Sequence, residues 1–157
     1  MSQEVCQNEI AKYVDQTRFA VLAYVRNDRT PLLRSMGSFV PSGVDLYFST
    51  RKEAAKVQAI AEHKRISFLF EHDNQDLAKW QSVLLIGDAK PIDGGAELDK
   101  AVTLLSERNP RFKERVDKGE LPSTQIFKLK TEEVEFLDYG KGFGHVQKVT
   151  LQKRESA

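Results

Sequence analysis

The sequence predicts a mainly β protein, a small antiparallel barrel with helices at its periphery. Strand-like runs rich in β-branched and aromatic residues come in groups, and helical patterns stand between the groups rather than after every strand. The chain has 157 residues, of which 40% are hydrophobic, and this suffices for one core and one domain. A doubly wound parallel sheet, in which strands and helices alternate, fits this order poorly.

The N-terminal part of the chain predicts a helix, three strands and a second helix. Apolar residues recur at helical spacing over 4–16, and Ser2 precedes them as a possible cap. Three consecutive antiparallel strands follow, separated by turn residues, at 19–25, 31–39 and 44–48. An alanine-rich pattern then predicts a helix that begins just after a strand ends, over 54–61.

The rest of the chain predicts two strands, two helices and two final β-rich runs. In chain order these lie at 65–70, 82–89, 96–106, 110–116, 124–129 and 134–137. Residues 1–140 are therefore expected to form a single domain that includes the N-terminal helix. Residues 141–157 form a glycine-containing tail that is expected to be mobile or held by something outside its own sheet.

Charge and composition exclude several classes of protein. Lys and Arg number 24 against 23 Asp and Glu, so a net charge of +1 gives no overall field for capturing nucleic acid. No apolar run approaches the roughly 20 residues that a membrane span needs. One cysteine and three separated histidines offer no metal-ligand spacing, so no metal site is predicted. The N-terminus lacks a basic start and an apolar core, and we expect a cytoplasmic protein.

The end of the third predicted strand brings hydroxyls and cations to a helix N-terminus. Ser49, Thr50 and Arg51 stand at this junction, and Lys56 follows six places after the threonine. Free N–H groups and the positive end of the helix dipole favour an anion there, and Thr50 suits both a helix cap and a phosphate ligand. The alternative is an ordinary cap with a solvated basic face.

Two other segments carry features of a cofactor site. Arg34 lies on the strand predicted to pair beside the one that ends at Ser49, and its planar guanidinium suits phosphate, although it also fits an outward-facing position. Gly37 leaves room for a flat ring against the backbone. Trp80 and Gln81 open a strand, and Gln81 offers a donor and an acceptor to a heterocycle, although surface packing also explains this pair.

The order and spacing of four segments are similar to those of a known protein family. The segments are 34–36, 45–50 with Lys56, 65–70 and 80–89. Together they resemble the pyridoxamine 5′-phosphate oxidase-like family of flavin-binding split barrels, over about residues 10–140. The resemblance implies a six-stranded antiparallel Greek-key split barrel. It also implies a homodimer with two FMN molecules in clefts between the protomers.

Carried over by position, the resemblance implies three groups of cofactor-binding residues. The FMN phosphate would be held by Arg34, Lys56, Ser49 and Thr50, assisted by Arg51. The isoalloxazine ring would lie beside the backbone of Ser35, Met36 and Gly37. From the other protomer would come Trp80, Gln81 and Ser82. Family members often carry a hydroxyl or a further cation just before the matching lysine, where this chain has Ala54 and Ala55, and this favours weaker FMN binding or a different cofactor.

The function expected from the resemblance is that of an FMN-dependent oxidoreductase with hydride transfer at the flavin N5. No side chain is assigned as a catalytic acid or base, and the substrate is left open. Two alternatives stay open beside it. One is a heme-binding or heme-degrading protein on the same barrel, with His145 as the iron ligand. The other is a binding module that has kept the barrel without a cofactor, an alternative motivated by Ala54 and Ala55.

Overall fold

The structure is a computed structural model that describes residues 3–151. Within these residues the predicted architecture is confirmed: a curled, antiparallel, mostly β half-barrel with helices around it. The helices are α1 Gln3–Asp15, α2 Ala55–Glu62, α3 Gly95–Arg108 and α4 Pro110–Asp117. The strands are β1 Ala20–Val25, β2 Pro31–Met36, β3 Phe39–Ser42, β4 Asp45–Arg51, β5 Arg65–Glu71, β6 Gln81–Ile92, β7 Thr124–Asp138 and β8 Val146–Thr150.

The sheet runs in the order β2-β1-β5-β6-β7-β4-β3, and β8 pairs with the second half of β7. The two ends of this order, β2 and β3, follow each other in the chain through Gly37 and Ser38 alone. This two-residue link, here called the corner, therefore connects the two edges of the sheet. The result is a barrel whose edge strands meet in sequence without pairing to each other.

The corner corrects the predicted strand over 31–39. It is two strands, of which β2 pairs with β1 and β3 pairs with β4. The strand that carries Arg34 is therefore not hydrogen-bonded beside the one that ends at Ser49, as the sequence analysis expected. Instead the corner itself contacts β4, where the Ser49 N–H donates to the Ser38 carbonyl oxygen at 3.1 Å.

The strand count also needs correction, because the described residues form eight strands rather than six. The two runs predicted at 124–129 and 134–137 are one strand, β7, which pairs with β6 from Ile126 to Asp138. Its first part pairs with β4 and its second part with β8. Residues 146–150 of the predicted tail thus belong to the sheet, and the expectation that they are mobile or held elsewhere is wrong. The predicted cap, Ser2, lies outside the described residues.

The hydrophobic core divides between the two faces of the sheet. The inner face holds an aromatic cluster in which Phe48 contacts Phe68 and Phe127, with ring centroids 5.0 and 5.2 Å away. The outer face of β4 and β7 carries Tyr47 and Ile126, which α3 and α4 cover. Among the described residues, no helix is long and apolar enough to cross a membrane.

Gly87 allows the β6–β7 pairing to continue past an irregularity. The register shifts between Ile86 and Gly87, and a Cβ built on Gly87 would collide with the carbonyl oxygen of Lys130. The clash is with backbone held in the sheet, which cannot move aside as a flexible side chain would.

We therefore expect Gly87→Ala to lower the free energy of unfolding by about 3 kcal/mol, the upper part of the usual range for overpacking. Urea unfolding followed by circular dichroism measures it. Gly94→Ala is the control, because Gly94 has extended backbone and no atom within 4 Å of a built Cβ. As an N-cap substitution it should cost under about 1 kcal/mol. Equal losses in the two variants would contradict the account.

Candidate functional site

Arg34 stands at the exposed edge of the inner sheet face. It lies opposite Leu22 in the β1–β2 register, and directly opposed residues share a face. Leu22 is fully buried in the core, whereas Arg34 is exposed because β2 is an edge strand. The Arg34 guanidinium donates to the carbonyl oxygen of Leu33 at 2.9 Å, which leaves most of its N–H groups for other acceptors.

Lys56 lies in the first turn of α2 and is partly buried. Burial, and secondly the nearby Arg34 guanidinium, lowers the pKa of Lys56 below its ordinary value. Helix α2 contacts β1, the strand paired with β2, so that Lys56 lies near enough to Arg34 for the two charges to repel each other. In the described part of the chain neither has a carboxylate partner, since the ion pairs involve other residues. Two neighbouring cations that repel each other, with no carboxylate partner in the described part of the chain, favour the binding of an anion.

The start of α2 adds to the positive potential around Lys56. Its N-cap is Ala54, which makes no side-chain cap, and the first turn holds no acidic residue. The prediction that Thr50 caps this helix is wrong, because β4 extends to Arg51 and a short turn separates it from α2. The first N–H groups of α2 and the positive end of its dipole thus lack the side-chain oxygen that usually satisfies them.

The other residues predicted to bind the phosphate, Ser49, Thr50 and Arg51, do not share the surroundings of Arg34 and Lys56. Ser49 is buried, and its hydroxyl contacts the hydroxyl of Ser38 at the corner. Thr50 is buried opposite Gln125 of β7. Arg51 is exposed, with its guanidinium 4.0 Å from the carboxylate of Glu53. The structure therefore places Ser49 and Thr50 in the wall next to the corner and directs Arg51 to solvent.

The residues predicted to run beside a flavin ring differ in exposure. Ser35 is exposed, and Met36 is buried in the core, so that only its backbone is available to a ligand. Beside Gly37 lies the ring of Phe19, whose nearest carbon would be 3.1 Å from a Cβ built on the glycine. Phe19 is 56% exposed. The space beside Gly37, which was predicted to admit a flat ring, is therefore next to the ring of Phe19 in this chain. Phe19 was not among the residues predicted for the site.

The third predicted group lies apart from the cation pair within one protomer. Trp80 precedes β6, and β1 and β5 separate β6 from β2 in the sheet. With strands about 4.8 Å apart, three spacings place the Trp80 segment on the order of 14 Å from β2. The Trp80 indole N–H donates to Glu71 at 3.1 Å, the Gln81 amide donates to Asp138 at 3.2 Å, and Ser82 is buried. Only a second protomer would bring these residues to the cation pair.

Gln81 is held by residues that no sequence pattern indicated. The Tyr13 hydroxyl donates to the Gln81 carbonyl oxygen at 2.6 Å, and the Gln75 side chain bonds both the N–H and the carbonyl of Gln81 at 2.8 Å. The ring of His72 stacks on Tyr13 with centroids 3.7 Å apart. Burial is the main cause that raises the pKa of Tyr13. No periodicity links these residues, because Tyr13 and Gln81 are 68 positions apart.

Gln81 also lines a cleft of about 400 Å³ between α1 and the end of β7. Tyr13 and Phe136 form its aromatic wall, and charged or amide side chains form its rim. The Gln81 side chain therefore faces the inner side of the sheet of its own chain.

Comparison with known proteins identifies the family. A family model described as pyridoxamine 5′-phosphate oxidase matches residues 6–138. The chain belongs to this family, as the resemblance predicted. No curated protein matches the sequence.

Solved structures share the fold at low identity. The conserved hypothetical protein Rv2991 from Mycobacterium tuberculosis is 23% identical, with 90% of this chain and 87% of that one covered and a TM-score of 0.73. A Clostridium acetobutylicum protein related to general stress protein 26 of B. subtilis is 13% identical, with 96% and 97% covered and a TM-score of 0.72. A heme binding protein from Mycobacterium smegmatis is 16% identical, with 96% of this chain and 59% of that chain covered and a TM-score of 0.75.

The lowered pKa of Lys56 predicts how stability depends on pH. Below its folded-state pKa, the charged Lys56 destabilises the ligand-free protein. Between that value and the ordinary 10.5, the unfolded chain binds more protons, so stability increases with pH. We expect Lys56→Met to be at least as stable as the wild type near pH 7, with an advantage that shrinks as the pH approaches 10.5.

Urea unfolding at a series of pH values measures this difference. The control is Lys64→Met, since Lys64 is exposed and lies 3.7 Å from the carboxylate of Asp88. It should bring no gain at neutral pH. A Lys56→Met protein that is less stable than the wild type at pH 7 would show that burial and the Arg34 charge do not destabilise the charged form of Lys56.

Proposed function

We propose that the protein is a homodimeric FMN-binding flavoprotein of the oxidoreductase type. The observation that carries the proposal is the repulsion between Arg34 and Lys56 where α2 packs beside β1, next to the uncapped start of that helix and with no carboxylate partner for either among residues 3–151. A flavin mononucleotide ends in a phosphate dianion, which this combination of charges suits. Because the chain belongs to this family, FMN is the first cofactor to test. The affinity for FMN is the quantity to measure, because Ala54 and Ala55 stand where family members often carry a hydroxyl or a cation.

The chain's own residues bind and orient the cofactor in this proposal. Arg34 offers a planar pair of N–H donors, Lys56 offers a compact charge, and the first N–H groups of α2 point toward the same anion. When bound, FMN supplies a ring whose N5 accepts or returns hydride. The protein contributes position and electrostatics, and no side chain is required as an acid or base.

A second copy of the chain is the proposed partner, and the outer sheet face supports it. Burial alternates along β1 and β5, and their outward residues are only half-buried although most are apolar. The same face continues onto β2 and β6 and includes Val21, Ala23, Leu69, Leu84, Ile86 and Leu33, the last 64% exposed. Water-exposed apolar area on one continuous face favours association. A copy docked there would also bring its Trp80 segment toward the cation pair.

The cofactor proposal is tested by binding of FMN and of riboflavin, which lacks the phosphate. We expect Lys56→Met and Arg34→Met each to weaken FMN binding about tenfold or more, because a charge-assisted hydrogen bond contributes about 1.5–3 kcal/mol. Riboflavin affinity should not change. Lys64→Met serves as the control, because it removes an exposed lysine outside the site.

A wild-type protein that takes up no FMN, or variants that bind it as well as the wild type, would contradict the proposal.

Heme is the second candidate, favoured by the exposed position of His145 in the turn before β8. There the Asp138 N–H donates to the His145 carbonyl oxygen and the His145 N–H donates to Gly142, each at 2.9 Å. Hemin uptake with a Soret band that His145→Ala abolishes would replace FMN with heme, and uptake of neither would favour a cofactor-free module.

The homodimer is tested by placing a charge on the outer face. We expect Leu33→Asp to convert the protein to a monomer and to weaken FMN binding, because the charge would be buried in the interface and the cleft would lose its second wall. Size-exclusion chromatography with light scattering measures the mass. Ala96→Asp places the same charge on an exposed position of α3 and should leave a dimer. A wild-type monomer would contradict this part of the proposal.

A further inference from the structure

The start of β6 is held from one side by a side chain instead of a strand. The β5–β6 ladder ends at the Glu71–Ser82 pair, so Gln81 has a strand partner only on the β7 side, at Asp138. On the open side the Gln75 side chain takes the place of β5. Its amide N–H donates to the Gln81 carbonyl, and its carbonyl accepts from the Gln81 N–H, both at 2.8 Å. This two-point contact imitates a residue of a neighbouring strand.

Gln75 is also linked to helix α1, because its amide N–H lies 3.4 Å from the Tyr13 hydroxyl. The Tyr13 hydroxyl donates to the Gln81 carbonyl at 2.6 Å and accepts the His72 backbone N–H at 3.1 Å. The Tyr13 and His72 rings stack with an interplanar angle of 4°. Tyr13 is 6% exposed, so the whole arrangement, here called the clamp (Tyr13, His72, Gln75, Gln81), rests on a fixed core residue.

Beside the clamp, the segment between Gln75 and Gln81 has polar contacts: the Tyr139 N–H donates to the Trp80 carbonyl oxygen at 2.9 Å, and the Trp80 indole N–H donates to Glu71 at 3.1 Å. The 3-10 turn Leu77–Lys79 has no buried residue, and Leu77 is 62% exposed. The backbone N–H of Trp80 donates to the Leu77 carbonyl oxygen at 3.3 Å, a long hydrogen bond within the same turn. With few apolar contacts of its own, this segment depends on polar contacts for its position.

We infer that Gln75 is a positioning residue that fixes the start of β6, through the backbone of Gln81, and thereby places Trp80 where it meets the flavin of the partner protomer. The inference rests on the proposed function, because that function gives the Trp80 segment its contact with the ring. Gln75 touches neither the ring nor the cation pair. It acts on the backbone of Gln81, and through Tyr13 it couples α1 to the ring environment while the phosphate is held elsewhere.

The first arm of the test uses the ligand-free protein, whose single tryptophan is Trp80. We expect Gln75→Ala to raise the acrylamide quenching constant of Trp80 at least about twofold, because the two hydrogen bonds from Gln75 to Gln81 no longer hold the segment in place. Gln75→Glu keeps the acceptor for the Gln81 N–H and loses the donor, so it should give a smaller increase. Asp73→Asn, in the same loop and without a side-chain contact, should match the wild type.

The second arm uses FMN-loaded protein. In Gln75→Ala we expect the visible circular dichroism of the bound flavin to fall by about half, because the ring loses its fixed neighbours, while the FMN dissociation constant stays within about threefold because the phosphate grip is intact. The thermal midpoint, measured in parallel, identifies a variant that has simply unfolded. In that case Gln75→Glu replaces it.

Each outcome decides one proposal. A wild-type protein that binds no FMN overturns the proposed function and this inference with it. A wild-type protein that binds FMN, with flavin dichroism and Trp80 quenching unchanged in the folded Gln75 variants, overturns the inference alone. Equal effects from Asp73→Asn, or a loss of FMN affinity as large as that of Lys56→Met, also overturn it. The expected pattern in both arms supports it.

Discussion

The corner at Gly37 and Ser38 is the constraint on which the rest of the arrangement depends. It connects the two edge strands of the sheet within two residues, so the ends of β2 and β4 must lie together although they do not pair. Helix α2 follows β4, and Lys56 in its first turn is thereby placed beside Arg34. A longer or straighter connection would let β2 continue past β4, and the two cations would separate.

This placement trades stability for binding. Arg34 and Lys56 repel each other, and the start of α2 lacks both a cap and an acidic residue. Each feature destabilises the ligand-free chain, and each is relieved by a bound anion. The inner aromatic cluster carries no such repulsion, since the ring of Phe48 packs against Phe68 and Phe127 at ordinary contact distances. Local conflicts of this kind are expected at functional sites.

The sequence predicted the mainly β class, the helices and the cations near one strand–helix junction, because these follow from local periodicity and residue type. It did not predict the break at the corner, since Gly37 and Ser38 also fit a continuous strand. The continuity of β7 was hidden because its middle is polar, and β8 because its short, polar pattern depends on pairing with β7. Within the clamp, Tyr13 and Gln75 are 62 positions apart in the sequence, and no spacing rule indicates such a contact.

The central claim is that Arg34 and Lys56 grip one phosphate together. A double-mutant cycle for FMN binding, with Arg34→Met, Lys56→Met and the double variant, tests it most directly. Two residues that share one anion should be coupled, so the single losses should fail to add by at least about 0.5 kcal/mol. Losses that add within experimental error would mean that the two cations act at separate places, and the account of the site would be wrong.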